Sequence, residues 1–326
     1  MSRKVAFVTG VTGQDGSYLA EFLLGKGYEV HGTLKRNSVS ENQTSRLDEV
    51  FDKLHLHYAD LTDLSSLIRV INEVKPIELY NLAAQSHVRI SFDQPLYTAN
   101  VTGVGTLNVL EAVKLINPNI KIYQASSSEM FGNSIDSDGY QTETTPMNPV
   151  SPYGCAKVFS YNICRNYRNS YNMFISNGIL FNHESPRRGT NFVTNKVCKE
   201  AVRIKLGLSS ELKLGNLDAT RDWGHAKDYV KVMWQILQLD KPDDFVCSTG
   251  ISHTVKDLCE YVFKKLDLDW KLYVKQDEKF LRPEELHNLK GDPSKLVMAT
   301  NWTQDYTFET MLDEMIDYWV NFYKKN

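Results

Sequence analysis

Two short stretches carry side chains that could do chemistry together: Ser126-Ser127-Ser128-Glu129 and Tyr153-Gly154-Cys155-Ala156-Lys157. In the second, a phenol and an ammonium stand four residues apart, so on a helix both project from one face. A nearby ammonium favours the phenolate, and such a Tyr accepts a hydroxyl proton near neutral pH. The first stretch closes a run, Lys121 to Ser126, that reads as a buried strand. It presents hydroxyls and one carboxyl where open α/β sheets bind ligands. A Tyr base alone points to alcohol oxidation; a carboxyl acid/base beside it points to a step after the oxidation.

The electron carrier for such an oxidation is legible nearer the N-terminus. Lys4 to Thr9 is a short apolar run ending at Gly10-Val11-Thr12-Gly13-Gln14-Asp15-Gly16, and a helical pattern, Ser17 to Lys26, follows. Strand, glycine turn and helix together form the context in which a glycine fingerprint signals dinucleotide binding. The glycines admit a pyrophosphate to the backbone, and the helix N-terminus adds N–H donors. The spacing is G-x-x-G-x-x-G. A second strand, Glu29 to Thr33, runs into Leu34-Lys35-Arg36-Asn37-Ser38. An acidic residue there would bind a ribose 2′-hydroxyl; Arg36 and Lys35 suit a 2′-phosphate instead, so NADP is expected.

The elements that must position these groups alternate. Strands are expected at Leu54–Tyr58, Leu79–Leu82, Ile120–Ser126 and Phe174–Leu180, with helices at Leu64–Val74, Thr98–Leu115 and Tyr153–Asn169. That alternation is the mark of a parallel α/β sheet. Beyond about residue 181 the regularity fades into separate helices, Val193–Leu206, Val255–Leu266 and Phe308–Tyr323. The polar segment from Gly132 to Val150, with Pro146 and Pro149, reads as an active-site flap. At 326 residues the chain is long enough for two cores, and a net charge of −3 offers no basic excess for nucleic acid. No apolar run reaches membrane-span length, and the N-terminus enters a strand directly instead of a signal peptide. A cytosolic protein without membrane or nucleic-acid partners is expected. Cys155, Cys164, Cys198, Cys247 and Cys259 lack metal-type clustering; they are expected to be reduced core thiols, and no metal site is expected.

Gly10 to Gly16, Asn81-Leu82-Ala83-Ala84-Gln85-Ser86-His87 and Tyr153-x-x-x-Lys157 together resemble the extended short-chain dehydrogenase/reductases. More specifically, several stretches resemble the GDP-mannose 4,6-dehydratases. These are Gly10–Leu19, Asn81–Val88, Phe181–Gly189, Gly215–Asp218 with Arg221–Tyr229, Arg282–Glu285 and Gly291–Lys295. The likeness covers essentially the whole chain. It implies a Rossmann-type doubly wound parallel sheet with a smaller, discontinuous α/β substrate domain. Residues 1–181 with parts of 217–250 and 288–300 would bind NADP; residues 182–216, 251–287 and 301–326 would bind the sugar nucleotide.

The resemblance also implies roles. Tyr153 would take the 4-hydroxyl proton of the mannose of GDP-mannose while hydride leaves carbon 4. Ser127 would hydrogen-bond the same oxygen, and Lys157 would lower the Tyr pKa and hold the nicotinamide ribose. Glu129 would remove the carbon 5 proton and help water leave from carbon 6, with the hydride then returned to carbon 6. Sugar 4-epimerases lack such a Glu, and dTDP-glucose dehydratases place an Asp before it; here Ser128 stands there, so Glu129 serves as both base and acid. Cofactor contacts would come from Gly10, Thr12, Gly13, Gln14, Asp15, Gly16, Arg36, Asn37, Ser38, Asp60, Leu61, Leu82, Ala84, Gln85, Ser86, Tyr97, His183 and Arg188, beside Tyr153 and Lys157. Ser86, Asn182, Lys196, Arg221, Arg282 and Glu285 would meet the substrate. The cofactor would be bound tightly and recycled.

Three departures accompany the likeness: Ser127 where the family has Thr, Asn195 where it has Arg, and a varied turn at Lys35–Ser38. A Ser without the methyl is expected to be looser in its rotamer. The turn belongs to a tetramer interface in the family, and the Thr98 and Tyr153 helices to a dimer interface, so a homodimer or homotetramer is expected. Other readings are another sugar-nucleotide dehydratase or 4-epimerase, or a non-catalytic NADP-binding regulator. Reduction of the 4-keto product is a possible extension.

Overall fold

The apolar run before the glycine turn forms a strand buried along its whole length, as a central parallel strand must be. The computed structural model describes residues 4–37, 43–281 and 283–325. Strand β1 (Val5–Thr9) leads to α1 (Gln14–Gly25), β2 (Glu29–Leu34), β3 (Leu54–Tyr58), α2 (Leu64–Val74), β4 (Glu78–Asn81), α3 (Val88–Asp93) and α4 (Pro95–Thr98). A π-helical segment, Ala99–Val104, then precedes α5 (Gly105–Ile116), β5 (Lys121–Ser127) and α6 (Pro152–Tyr171). The second half runs β6 (Ile175–Leu180), β7 (Asn182–Glu184), α7 (Val193–Lys205), β8 (Leu212–Leu214), β9 (Thr220–His225), α8 (Ala226–Leu237) and β10 (Asp244–Cys247). It ends with β11 (Ser252–Thr254), α9 (Val255–Lys265), α10 (Trp270–Tyr273), β12 (Val274–Gln276), α11 (Ser294–Thr300) and α12 (Phe308–Lys325).

Seven strands make one sheet in the order β10-β6-β5-β4-β1-β2-β3, every neighbouring pair parallel. The order reverses between β1 and β4, and a ligand crevice opens at such a switch point. One face of the sheet is covered by α1 and α8 through Leu19, Tyr229 and Met233; the other by α2, α5 and α6 through Val70, Val109 and Tyr167. This is the doubly wound arrangement expected. Where the sequence pattern fades, β11-β9-β7 and β12-β8 form two small sheets, and α7, α9 and α12 close on a separate cluster around Val202, Trp223, Phe263 and Met311.

Several boundaries differ from expectation for physical reasons. Helix α1 begins at Gln14, not Ser17, so Gln14, Asp15 and Gly16 lie in its first turn. The single helix expected over Thr98–Leu115 is interrupted by the π segment, where the Thr102 carbonyl accepts from both Thr106 Oγ1 at 2.9 Å and Ser160 Oγ at 2.8 Å. Side chains that compete for carbonyls widen a helix in this way. The segment Gly132–Val150 is not a free flap. The Gln141 N–H donates to the Lys290 carbonyl at 2.8 Å, the Asp292 N–H to the Gln141 carbonyl at 3.0 Å, and the Val246 N–H to Glu143 Oε1 at 2.7 Å. It therefore braces the stretch that carries Glu285. Cys155 is exposed and so is no core thiol; the other four cysteines are buried.

Helix α6 is anchored at its far end by Asp244 of β10. That carboxylate accepts from Tyr161 Oη at 3.0 Å, Arg168 Nη2 at 2.5 Å and Asn177 Nδ2 at 2.7 Å. Removing it would leave a mostly buried guanidinium without its counter-charge, a loss of about 3–5 kcal/mol. Asp244→Ala is expected to lower the urea unfolding free energy by that order. Asp244→Asn, which keeps an acceptor, should lose less; equal stability of Asp244→Ala and the parent chain would refute the anchor.

Candidate active site

The glycine turn is shaped by its neighbours. Gly10 has φ +70°, and a Cβ there would lie 2.9 Å from the Ala83 backbone. A Cβ on Gly16 would lie 2.2 Å from the Gly10 carbonyl. Only glycine fits either place. The turn is held by side chains at the strand ends: Thr9 Oγ1 donates to Asn81 Oδ1 at 2.7 Å and accepts from the Leu82 and Ala83 N–H groups. Gly10, Gly13, Gln14, Asp15 and Gly16 line a cleft of about 1100 Å³ together with Leu82, Ala84 and Ser86. With Gly13 as N-cap, no side chain caps α1, so the helix end faces the cleft with backbone alone. That cradle fits the pyrophosphate of a nicotinamide dinucleotide.

Strand β5 and helix α6 deliver the groups singled out first. Ser127, Glu129, Tyr153 and Lys157 all line the cleft, each at most 8% exposed. Pro152 starts α6 and Ser151 caps it, its Oγ accepting from the Gly154 N–H at 3.0 Å. A Cβ on Gly154 would lie 2.8 Å from the Glu129 carbonyl, so glycine lets the helix start press against the turn that holds the carboxyl. Strand β5 runs one residue further than expected, through Ser127, and a 3₁₀ turn, Ser128–Met130, then swings Glu129 inward. Ser127 Oγ accepts from the Glu129 N–H at 3.2 Å, which fixes the hydroxyl that was expected to be loose.

Lys157 Nζ donates to the Ala125 carbonyl at 2.6 Å and lies over the Tyr153 ring, 5.8 Å from its centroid. Burial dominates both groups. It pushes the Tyr153 phenol up to about 12, against a hydrogen bond with Ser127 that favours the phenolate and with the Glu129 charge adding to the rise. It pulls the Lys157 ammonium down to about 8.

A second layer joins the glycine turn to β7. Gln14 Nε2 donates to the His183 carbonyl at 3.1 Å, and Ser185 Oγ donates to Gln14 Oε1 at 2.8 Å. His183 Nδ1 faces the Phe181 carbonyl at 2.7 Å and Nε2 faces Asp15 Oδ2 at 2.8 Å, while the ring stacks on Tyr229. Both nitrogens meet acceptors, so the ring donates twice and is an imidazolium. Burial alone would lower its pKa; the Asp15 charge and hydrogen bond outweigh that and raise it.

The substrate candidates converge on the far side of the same cleft. Ser86, Asn182, Lys196, Arg221 and Glu285 line it, as do His183 and Arg188. Arg221 Nη1 donates to the Thr220 and Leu286 carbonyls at 2.8 and 3.0 Å. Lys196 donates to the Lys213 carbonyl at 2.6 Å and lies 3.6 Å over the Phe280 ring. Asn195 is fully buried and does not line the cleft; it accepts from Trp319 Nε1 at 2.7 Å and donates to the Arg188 carbonyl at 2.5 Å.

Other expected cofactor residues form a separate group beyond β2 and β3. Lys35 Nζ donates to Tyr97 Oη at 3.0 Å and pairs with Asp60 at 3.3 Å. Arg36 is exposed and curls onto the Asn37 carbonyl. The Leu61 side chain is buried in the core. The Gln85 amide donates to Thr98 Oγ1 and the His87 carbonyl, facing the helices and not the cleft. The Thr12 carbonyl accepts from Arg46. Ser38 and Arg282 lie outside the described residues. Sequence reasoning missed His87, Glu184, Phe192, Lys199 and Asn216, which also line the cleft. Glu184, His87 and Asn216 sit in the quoted Phe181–Gly189, Asn81–Val88 and Gly215–Asp218 stretches and were findable; Phe192 and Lys199 come from a loop and a helix face with no motif of their own.

Comparison with known proteins agrees with this geometry. The family model described as GDP-mannose 4,6 dehydratase matches residues 7–315. GDP-mannose 4,6 dehydratase 2 of Arabidopsis thaliana is 50% identical, over 97% of this chain and 86% of its own length. GDP-mannose 4,6 dehydratase of Homo sapiens is 49% identical, over 96% of this chain and 91% of its own. The crystal structure of DesIV, a dTDP-glucose 4,6-dehydratase from Streptomyces venezuelae with NAD and TYD bound, superposes with a TM-score of 0.85 at 22% identity, covering 99% and 97% of the two chains. A fold that places a buried Tyr, Ser and Glu around one cleft, matched by a family model across nearly the whole chain, identifies this protein as a member of the GDP-mannose 4,6-dehydratase family.

Proposed function

We propose that the cleft converts GDP-mannose to GDP-4-keto-6-deoxymannose, as a hydro-lyase with a tightly held NADP. The observation that carries the chemistry is Glu129, a buried carboxyl beside the Ser127–Tyr153 hydroxyl pair, where an oxidation alone would need none. Tyr153 Oη takes the proton from the sugar 4-hydroxyl, and Ser127 holds the same oxygen. A bound nicotinamide dinucleotide supplies the hydride acceptor at carbon 4 and the donor at carbon 6. Glu129 removes the carbon 5 proton, made acidic by the new ketone, and passes it to the departing 6-hydroxyl; as hydride returns to carbon 6, carbon 5 takes up the proton that Tyr153 holds, which restores both side chains. No other carboxyl adjoins it in sequence, since Ser128 and Met130 flank it. Arg221 and Lys196 bring positive charge for the diphosphate, and Asn182, Ser86 and Glu285 bring polar contacts to the sugar nucleotide.

The nicotinamide dinucleotide is NADP on this reading because β2 ends in Lys35 and Arg36 without an acid. Lys35, Asp60 and Tyr97 frame the adenosine end, and Arg36 is exposed and close at hand for a 2′-phosphate. Pairing of subunits through the α4–α6 face would cover Leu96, Val104 and Phe159, which are 79%, 44% and 43% exposed. Among the described residues no helix is long and apolar enough to cross a membrane.

Three measurements bear on this reading. With GDP-mannose and catalytic NADP in deuterated water, the product should have lost water, carry deuterium at carbon 5, and leave no net NADPH. Turnover of a UDP- or dTDP-sugar with GDP-mannose untouched would sink the substrate assignment. Glu129→Gln should reduce dehydration by at least about 10²-fold while a single turnover still shows hydride transfer to NADP. Dehydration at the parent rate would remove Glu129 from its role. Arg36→Ala should weaken NADP binding about tenfold and leave NAD binding unchanged; a parallel loss for both would argue against a 2′-phosphate site.

A further inference from the structure

Away from the cleft, β2 and β3 bring imidazoles and a carboxylate to one face of the sheet edge. Register places His31 directly opposite His55. Strand alternation puts Glu29 on the same face as His31, and His57 on the same face as His55. The His31 ring stacks between the other two, with centroids 4.6 Å from His55 and 5.2 Å from His57. Glu29 Oε1 lies 2.8 Å from His31 Nε2 and 3.7 Å from His55 Nε2. These three donor atoms all fall within 4.8 Å of one another. None of the four residues lines the catalytic cleft.

We infer that Glu29, His31 and His55 form a binding site for one divalent transition-metal ion of the zinc class. Two imidazoles and a carboxylate are the ligand types such ions take. Bonds of about 2.0–2.1 Å in tetrahedral geometry hold ligand atoms about 3.3 Å apart. The observed 2.8 and 3.7 Å separations straddle that value, so small side-chain adjustments close the site. His57 supplies the supporting contact that metal-bound imidazoles need. Its Nε2 lies 2.9 Å from His31 Nδ1, so His31 donates there and presents Nε2 to the ion. Glu29 and His31 side chains are 15% and 12% exposed while His55 is 54% exposed, which leaves a solvent side for a fourth, water ligand. The ion displaces the proton that Glu29 and His31 otherwise share, and binding therefore releases protons. It clasps the outermost strand pair of the sheet, the two strands that run on into Lys35 and Asp60.

The alternating Leu54-His55-Leu56-His57 was visible in the sequence, but no cysteine accompanied it and the partner strand holds the other ligands. The test is calorimetric titration of the untagged, EDTA-treated full chain with zinc chloride, with thermal unfolding alongside. One ion per chain, binding near the micromolar range, and a rise in Tm are expected. His55→Ala, at a half-exposed position that tolerates truncation, and Glu29→Gln should each weaken binding at least about tenfold. Cys155→Ser removes the one exposed thiol among the described residues and should change nothing. Absence of saturable binding, equal affinity in His55→Ala, or loss of binding in Cys155→Ser would each overturn the site.

Discussion

A lysine of α6 with 4% of its surface exposed packs against the end of β5, its ammonium on the Ala125 carbonyl at 2.6 Å. Burying an unpaired cation is expensive, and the fall of the Lys157 pKa to about 8 is the mark of it. A strand end must therefore offer it an oriented carbonyl, and a line of polar side chains keeps that strand end in place. Thr9 bonds Asn81, Asn81 Nδ2 donates to Gln124 Oε1 at 2.7 Å, and Gln124 Nε2 reaches the same Ala125 carbonyl at 3.2 Å. The line runs β1 to β4 to β5 beneath the cleft and ends on Lys157. Buried polar groups are tolerated when each has a partner, and here the partners fix the registry of the strands that carry the chemistry.

That registry makes the rest of the catalytic wall possible. Ser127 and Glu129 follow Ala125 at two-residue steps, and the 3₁₀ turn between strand and helix brings both to the cleft. The turn survives because α6 starts with Pro152 and Gly154, one free of an N–H to satisfy and the other free of a Cβ that would strike Glu129. A Thr at 127 would be held by its methyl. The Ser is held instead by the Glu129 N–H that it accepts, so the departure from the family residue costs less order than the bare rotamer count implies. The Ser127 hydroxyl is thus positioned by the backbone of the turn that carries the carboxyl.

Much of this was legible beforehand because it is local. β3 and α2 matched their expected bounds, since alternation and apolar spacing are properties of contiguous residues. The Tyr–Lys spacing and the glycine turn worked for the same reason. What escaped depends on contacts far apart in the chain. The anchoring of residues 132–150 rests on bonds to residues 246, 285, 290 and 292. The π segment arises from Ser160 reaching across to Thr102. The bond from Lys157 to the Ala125 carbonyl depends on which acceptor lies in reach, a fact of three dimensions. The histidine cluster is half visible, since two of its rings alternate on β3 while the other ligands sit on β2.

The Gln14–Asp15–His183–Ser185 set ties the start of α1 to β7. Gln14 and Asp15 open the helix whose N-terminus faces the cleft, while His183 lies in β7 and Ser185 directly follows it. The next strand over, β9, pairs with β7 and carries Arg221, and its His225 caps α8 and binds Glu314 of α12 at 2.8 Å. Charged and hydrogen-bonded contacts therefore run from the glycine turn through β7 to β9, the strand that carries Arg221. An imidazolium–carboxylate pair inside the fold resists small displacements better than apolar packing does, because neither partner can be left alone without a large desolvation loss. The same pair lines the cleft that Ser127, Glu129 and Tyr153 also line, so the glycine turn, β7 and the hydroxyl-bearing strand end meet at one cavity.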